Sequence, residues 1–311
     1  MQPRLSAKPR VWAAAAAEAR QAHAVGEQMT AGSIRRCAVV GSPIAHSRSP
    51  VLHRAAYRAL GLTTWSYDRA ELTGAELAGW LASRDESWRG LSVTMPLKQA
   101  ALASADTATE LAAALGAANT LVRTEDGWHA DNSDVAGLLG ALADVEPGAM
   151  PRADSATVVG AGGTAAAAVA ALSALGHKRV DIMARDPLRA SPLLAVADRL
   201  GLTARVHAWP GSSTQGSPLE ADLVISTVPS AATRDLLGHR WRTGQTVVDV
   251  TYDPWPTTLC QAAAAGGAVA IGGASVLLWQ AVRQVELMTG RRAPVEAMRD
   301  ALLPGGNLAP G

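Results

Sequence analysis

Short apolar runs alternate with longer stretches of helical spacing along most of the chain, and this alternation predicts an α/β fold with parallel strands. The first apolar run, Cys37-Ala38-Val39-Val40, ends at Gly41, and the helix after it carries Pro50 in its first turn, where proline is favoured. The predicted strands cover residues 37–40, 64–67, 90–94, 118–123, 156–159, 180–184, 222–227 and 246–250. The predicted helices cover residues 50–60, 74–83, 97–103, 108–115, 135–143 and 164–175.

A stretch rich in Pro, Gly and Asp, residues 146–155, separates two such series of elements. A length of 311 residues suggests about two domains, so we interpret this stretch as the loop that leads into a second unit. Residues 1–33 are alanine-rich but interrupted by charged and polar residues, which makes them too polar for a signal-peptide core. We expect them to form an extension that the mature protein need not contain.

The composition is that of a globular protein with a substantial core, since 48% of the residues are hydrophobic and 18% are charged. The net charge of +1 and the lack of a dense basic run argue against nucleic acid and anionic membranes as partners. No apolar run reaches the roughly 18–20 residues of a membrane span. Cys37 and Cys260 form no metal-type or redox-type cluster, so we expect two buried thiols, no metal site and a cytoplasmic location.

A glycine-rich turn stands between a predicted strand and a predicted helix. Gly160, Gly162 and Ala165 fit the pattern G-x-G-x-x-A. The first glycine permits a tight turn, the second lets the backbone approach a pyrophosphate, and the small third residue allows close packing of helix and strand. Free N–H groups at the helix start favour the anion. The alternative is a flexible loop. The predicted cofactor contacts here are Gly160, Ala161, Gly162, Gly163, Thr164 and Ala165, with Thr227 after a later strand.

The end of the following strand indicates which dinucleotide is bound. NAD sites usually carry an acidic residue there, whereas NADP sites place an arginine near the additional phosphate. Arg185 follows the predicted strand directly and Arg189 comes four residues later, which favours NADP. Asp186 is repulsive toward a phosphate unless it pairs with Arg189 and orients it. Arg189 could equally be a solvated helix charge.

Lys98 is a candidate proton-transfer group. The chain has 28 basic residues, of which only Lys8, Lys98 and Lys178 are lysines. A lysine can lose its proton near neutral pH when it is partly buried or lies near another cation, and an arginine cannot. The alternative for Lys98 is an ordinary surface lysine.

Three polar clusters precede the glycine-rich turn, each at or near the end of a predicted strand, where open α/β sheets bind ligands. They cover residues 41–50, residues 94–98, and residues 118–120 together with 131–134. Ser47 and Ser49, just before a helix, could cap that helix or donate to a carboxylate or hydroxyl of a ligand.

In this order, the segments G-S-P-I-A-H-S-x-S-P, V-T-M-P-L-K, G-A-A-N-T, D-N-S-D and G-A-G-G-T-A resemble the shikimate dehydrogenase family. The resemblance runs from about Arg36 to about Pro294 and includes residues 249–254 and 277–280. The chain departs from the pattern of many members at Ser92, Ser133, Ala184 and Asp186, where those members have Asn, Thr, Asn and Thr.

The resemblance implies roles for individual residues. Lys98 and Asp134 correspond to the catalytic pair, and Ser47 and Ser49 to the serines that hold the substrate carboxylate. The positions that contact the ring hydroxyls correspond to Thr94, Lys98, Asn119, Asp134 and Gln280. Tyr252 corresponds to a tyrosine near the substrate, and Gly273 to a glycine whose backbone lies beside the nicotinamide.

The resemblance also implies the architecture and the activity. We expect a substrate-binding domain over residues 34–136, joined by C-terminal helices over 274–311, and a Rossmann-like NADP domain over 137–273, with the active site in the cleft between them. The implied reaction is the NADP-dependent, reversible reduction of 3-dehydroshikimate to shikimate by a monomer or homodimer. The alternatives are an enzyme that acts on quinate or an amino analogue, and a non-catalytic NADP-binding sensor.

Overall fold

The computed structural model describes residues 33–145, 155–209 and 217–302. Its first half is built on a six-stranded mixed sheet with the strand order β2-β1-β3-β5-β6-β4. The strands are β1 (Arg35–Gly41), β2 (Trp65–Glu71), β3 (Trp88–Val93), β4 (Thr107–Ala108), β5 (Thr120–Thr124) and β6 (Gly127–Asp131). β1 pairs in parallel with β2 and β3, whereas β5 and β6 form an antiparallel hairpin whose turn uses Gly127 at a φ of 113°.

The second half is built on a six-stranded sheet that is parallel throughout, with the order β12-β11-β10-β7-β8-β9. Its strands are β7 (Ala156–Val159), β8 (Arg179–Ala184), β9 (Thr203–Ala208), β10 (Leu223–Ser226), β11 (Thr246–Asp249) and β12 (Val269–Gly272). Numbered within this unit, the order is 3-2-1-4-5-6, the arrangement of dinucleotide-binding sheets. The central strands β7, β10 and β11 are wholly buried because helices cover both faces.

Ten α-helices cover the two sheets in the described part of the chain. They are α1 (Ser49–Ala59), α2 (Gly74–Ala82), α3 (Lys98–Ala103), α4 (Glu110–Leu115), α5 (Asp134–Ala143), α6 (Gly163–Ala174), α7 (Ser191–Arg199), α8 (Thr258–Ala265), α9 (Gly273–Thr289) and α10 (Val295–Leu302). α6 is buried along most of its length because its alanines pack close to the second sheet.

The predicted α/β fold class is confirmed, with corrections to individual elements. The predicted helix 108–115 begins only at Glu110, because Ala108 belongs to β4 and pairs there with Ala130 of β6. The strands β4, β6, β9 and β12 and the helices α7 and α8 were not predicted. β9 illustrates the reason, since none of its residues is fully buried at the edge of the sheet and its apolar pattern is correspondingly weak. The predicted extension and the predicted loop 146–155 lie, except for Ser33 and Ser155, outside the described residues.

α5 and α9 connect the two sheets and pack closely on each other. A Cβ on Gly137 would lie 2.7 Å from the carbonyl oxygen of Val276, and one on Gly140 would lie 2.3 Å from the Trp279 ring. The Asp144 carboxylate, at the end of α5, accepts a hydrogen bond from Trp279 Nε1 at 2.8 Å and pairs with Arg299 of α10 at 3.3 Å. This packing fixes the first turn of α5 and the first half of α9 beside the strand ends of both sheets.

Residues 33–145, 155–209 and 217–302 contain neither a metal-type cluster of side chains nor a helix suited to a membrane. No group of three His, Cys, Asp or Glu side chains is arranged to hold a metal ion. No helix in these ranges combines the length and apolar character that a bilayer crossing requires.

Candidate active site

A cavity of about 170 Å³ lies where the ends of the two sheets face each other. Its wall combines residues at and near the strand ends of the first sheet with residues of the loop after β11, of α6 and of α9. The lining residues are Val39, Ser47, Ser49, Ser92, Val93, Thr94, Lys98, Asp134, Thr164, Val250, Tyr252, Gly273, Val276, Leu277, Gln280 and Gln284. Of the eight residues predicted to bind substrate or catalyse, seven line this cavity, and the eighth, Asn119, donates a hydrogen bond to Gln280 in its wall.

Lys98 and Asp134 form an ion pair at the cavity. Lys98 starts α3, and its backbone carbonyl accepts a hydrogen bond from Ala118 N at 2.9 Å. Asp134 starts α5, and its backbone N–H donates to Asn132 Oδ1 at 3.1 Å. The Lys98 Nζ donates to Asp134 Oδ2, and the two side chains are only 17% and 8% exposed. Because its side chain is mostly buried and paired, Lys98 is not an ordinary surface lysine.

Asn119 joins this ion pair to the rest of the site. Its Nδ2 donates to Asp134 Oδ1 at 2.7 Å and to Gln280 Oε1 at 3.2 Å. Its Oδ1 accepts from the Ser133 backbone N–H at 2.6 Å, which fixes the orientation of the carboxamide because a backbone N–H only donates. Asn119, Asp134 and Gln280 therefore present one continuous polar surface.

Ser47 and Ser49 lie at another part of the wall, at the entry to α1. Both are buried, with 7% and 5% of their surface exposed. The cap residue Arg48 makes no side-chain capping bond, whereas Ser47 Oγ accepts a long hydrogen bond from the Ser49 backbone N–H at 3.4 Å, so a weak capping contact of Ser47 is present. Both serines line the cavity, and the Ser47 hydroxyl, which only accepts in its bond with Ser49 N, keeps its proton for a ligand there.

Thr94, Tyr252 and Gly273 complete the predicted substrate wall. Thr94 follows β3, and Tyr252 lies in the loop after β11, where burial raises the pKa of its phenol. Gly273 begins α9 so close to the backbone that a Cβ there would lie 2.1 Å from the Val250 carbonyl oxygen. Only a glycine fits at this position.

The glycine-rich turn has the geometry of a dinucleotide site. Gly160 has a φ of 115°, and a Cβ on it would lie 2.4 Å from Thr227 Oγ1. A Cβ on Gly162 would meet nothing within 4 Å, so the space in front of the α6 N-terminus is open to a ligand. Thr164 Oγ1 lies 3.5 Å from Lys98 Nζ, which places this turn directly against the catalytic candidate.

The basic residues after β8 are exposed beside the same turn. Arg185 follows the strand, and Arg189 lies in the short 3₁₀ helix Pro187–Ala190. The Asp186 carboxylate accepts from Leu188 N at 3.0 Å and lies 3.7 Å from Arg189 Nε. The pairing of Asp186 with Arg189 that the sequence suggested is therefore present. The Asp186 carboxylate contacts the backbone N–H of Leu188 and the Arg189 side chain.

Two polar residues of the cavity wall, Ser92 and Gln284, were not predicted from the sequence. The Gln284 Oε1 accepts from Ser92 Oγ at 2.6 Å, and Tyr67 Oη donates to Ser92 Oγ at 2.5 Å. His53 Nε2 lies 3.3 Å from Gln284 Oε1, and burial lowers the pKa of His53 to about 3. Gln284 stands one helical turn after Gln280, so the i, i+4 spacing was the signal that could have indicated it.

Other features of the described residues are not part of this site. A larger depression of about 420 Å³ lies between α1 and the amino end of β2, away from the strand ends where open sheets bind ligands. Cys37 and Cys260 are buried free thiols, as predicted, and burial raises the pKa of Cys37 to about 12 and that of Cys260 to about 11.

Comparison with known proteins agrees with this geometry. Residues 39–121 match the shikimate dehydrogenase substrate binding domain, and residues 273–303 match the shikimate 5'-dehydrogenase C-terminal domain. The shikimate dehydrogenase (NADP(+)) of Methanothermobacter thermautotrophicus is 33% identical over 285 residues, which are 88% of this chain and 98% of that protein. The chain belongs to the shikimate dehydrogenase family. The family resemblance inferred from the motifs is thereby confirmed.

Solved structures of the family have the same fold. The shikimate 5-dehydrogenase of Mycobacterium fortuitum is 47% identical and superimposes with a TM-score of 0.77, covering 88% of this chain and 99% of that one. The shikimate 5-dehydrogenase of Thermus thermophilus, solved in complex with NADP(H) and shikimate, is 30% identical with a TM-score of 0.71, covering 86% and 98%. The predicted two-domain α/β architecture of the family is thereby confirmed as the fold class of this chain.

Proposed function

We propose that this protein catalyses the NADP-dependent, reversible reduction of 3-dehydroshikimate to shikimate. The observation that carries the proposal is the position of Lys98, whose Nζ donates to Asp134 and lies 3.5 Å from Thr164 of the glycine-rich helix. A proton donor, a polar cavity and a dinucleotide turn therefore meet at one point. This is the arrangement that reduction of a bound carbonyl requires.

The residues of the glycine-rich turn fit NADP. The backbone N–H groups of Gly162 and Gly163 at the start of α6 are suited to its pyrophosphate, and the exposed guanidinium of Arg185 to its additional phosphate. Ala161, Ala165, Arg189, Thr227 and Gly273 complete the proposed cofactor site. When bound, the reduced cofactor would supply the hydride that is added to C3 of 3-dehydroshikimate, and the oxidised cofactor would accept the hydride that is removed from C3 of shikimate.

The cavity has separate places for the two ends of the substrate. The buried hydroxyls of Ser47 and Ser49 are suited to its carboxylate, because hydrogen bonds to a charged acceptor are strong. Thr94, Asn119 and Gln280 are suited to the ring hydroxyls, with Tyr252 as a further wall of the cavity. A substrate held at both ends presents C3 to the side of the cavity where the glycine-rich turn lies.

Lys98 moves the proton of the reaction. In the direction of reduction, the carbonyl oxygen at C3 gains negative charge and takes a proton from the protonated Nζ of Lys98, which is left as the neutral amine. In the oxidation of shikimate, the neutral amine accepts the proton of the hydroxyl at C3. Asp134 orients the Nζ and a neighbouring hydroxyl group of the substrate. General acid–base catalysis of this kind contributes roughly 10²–10⁴-fold.

The proposed function assigns the two sheets to two domains. We assign residues 34–136 and the C-terminal segment 274–311 to the substrate-binding domain and residues 137–273 to the NADP domain; residues 146–154, 210–216 and 303–311 of these ranges lie outside the described residues. The reaction belongs to the shikimate pathway of aromatic amino-acid biosynthesis, which leads to chorismate, and we place the enzyme in the cytoplasm as a monomer or homodimer.

Absorbance at 340 nm tests the proposal with purified protein, shikimate or quinate, and NADP or NAD. We expect rapid turnover only with shikimate and NADP. Preference for quinate or for NAD would contradict the specificity while leaving the roles of Lys98 and Asp134 standing. A folded protein that binds NADP without turnover of either substrate would instead support a sensor.

A further inference from the structure

Gln284 is a buried side chain whose hydrogen-bonding groups are all occupied. It is 2% exposed, on the face of α9 that lines the cavity. Its Nε2 donates to the Asn119 carbonyl oxygen and to Thr120 Oγ1, each at 3.1 Å. Its Oε1 accepts from Ser92 Oγ at 2.6 Å. Since a carbonyl oxygen only accepts, the orientation of this carboxamide is determined by its partners.

The bonds of Gln284 continue into the catalytic pair through Thr120. Gln284 Nε2 can only donate, so Thr120 Oγ1 accepts from it, and the Thr120 proton faces Asn119 Oδ1 at 2.9 Å, the nearer of its two acceptors, with Ser133 Oγ at 3.2 Å. Asn119 Nδ2 in turn donates to Asp134 Oδ1, whose other oxygen accepts from Lys98 Nζ. Gln284 thus holds Asn119 at two points, the main-chain oxygen directly and the side chain through one hydroxyl.

The far side of Gln284 faces a buried histidine. Because burial lowers the pKa of His53 to about 3, its ring is neutral above that pH. The ring stacks on Tyr67 at a centroid distance of 4.0 Å and faces Gln284 Oε1 at 3.3 Å. Tyr67 Oη donates to Ser92, so three elements of the first domain support a residue carried by α9.

We propose that Gln284 and Thr120 are positioning residues for the reaction, which hold Asn119 so that its amide reaches Asp134 and Gln280 together. The inference rests on the proposed function. Neither side chain transfers a proton or contacts the reacting carbon. Their loss lets Asn119 shift, and with it the carboxylate that orients Lys98, so the rate of the chemical step falls while the serines continue to hold the substrate.

The test uses isosteric substitutions in the full chain. Thr120→Val removes only the hydroxyl, Thr120→Ser keeps it, and Gln284→Met removes the amide at similar volume. We expect kcat to fall about tenfold in Thr120→Val and in Gln284→Met, with KM for shikimate changed less than about threefold. A fall in kcat at nearly constant KM indicates the loss of an interaction made only in the transition state. Thr120→Ser should restore most of kcat. The double variant should lose little more than either single variant, because both act on one chain of bonds.

Thr157→Val is the matched control for loss of a buried hydroxyl. Thr157 is buried in β7 and donates to the Pro218 carbonyl oxygen at 2.5 Å, at the end of the second sheet away from the cavity. It should lower the melting temperature without a change in kcat. Equal kcat losses in Thr157→Val and Thr120→Val, an effect confined to KM, or a double variant about a hundredfold slower would each overturn the inference.

A second measurement needs no turnover and separates failure of this inference from failure of the proposed function. The chain has only three lysines, so ¹³C-labelled lysine gives few NMR signals, and Lys8→Arg and Lys178→Arg variants assign them. The Lys98 ε-carbon signal should move in Thr120→Val and in Gln284→Met and return in Thr120→Ser. An unchanged signal in all three variants would overturn the inference even in a wild-type protein that does not oxidise shikimate.

Discussion

The two sides of the cavity are built on different physical principles. On the substrate side, buried polar side chains bond to one another, as that of Asn119 does with those of Asp134, Gln280 and Ser133. On the cofactor side, the turn at Gly160–Gly163 presents backbone N–H groups, and its residues have almost no side chains that would block a ligand. Side-chain recognition depends on which residues meet, whereas backbone recognition depends on which residues are small enough. Substitutions on the two sides should therefore fail in different ways.

The largest effect is expected at Lys98, where the two sides meet. Lys98→Ala removes the proton donor, so kcat for shikimate should fall roughly 10²–10⁴-fold with a small change in KM. Steady-state kinetics at 340 nm measures both parameters, and Lys178→Ala, at an exposed position, is the control. A large rise in KM at constant kcat would instead assign Lys98 to substrate binding.

The next effect is expected at the serines of the substrate side. A hydrogen bond to a charged group contributes about 1.5–3 kcal/mol, so Ser47→Ala or Ser49→Ala should raise KM for shikimate roughly 10–100-fold. The kcat should change little, because the carboxylate is remote from the reacting carbon. The affinity for NADP, measured by calorimetry, should stay at the wild-type value. A fall in kcat without a change in KM would contradict the assigned role.

Substitutions in the glycine-rich turn test the cofactor side. Gly162→Ala should leave the melting temperature unchanged, since the added Cβ meets no atom within 4 Å. It should weaken NADP binding about tenfold, or ~1.4 kcal/mol, because the methyl group occupies the approach to the pyrophosphate. Gly160→Ala should also destabilise the fold, because Gly160 has a φ of 115° and faces Thr227. Wild-type NADP affinity in Gly162→Ala would contradict this site.

The last prediction concerns stability at acid pH, and it changes no step of the reaction. The pKa of His53 is about 3 in the fold and about 6.5 when the chain is unfolded, so the unfolded chain binds a proton between these values that the folded chain does not. Stability is therefore full above pH 6.5 and is lost as the pH falls toward 3. At pH 5 the loss is about 2 kcal/mol, or several degrees in melting temperature. His53→Gln should show a correspondingly weaker decline between pH 7.5 and pH 5. Identical declines would contradict the buried, neutral histidine.

The sequence was informative wherever one local segment carries the physical requirement. The apolar run of β7 followed by Gly160 and Gly162 predicts a strand, a tight turn and an anion site within a few residues. The edge strand β9 was missed because it is partly exposed, and β4 because its two residues pair with the neighbouring β6. Their conformation depends on a neighbouring strand and not on their own pattern.

By itself, the sequence determined the fold class, the family and the candidate groups of the site, because motifs at strand ends specify which side chains an open sheet presents there. Only the tertiary structure decided how these groups are held together. It placed Gln284 of α9 against Asn119 and Thr120, and Thr164 of α6 against Lys98. Such contacts join segments distant in the chain, and local hydrophobic patterns do not encode which distant segments meet.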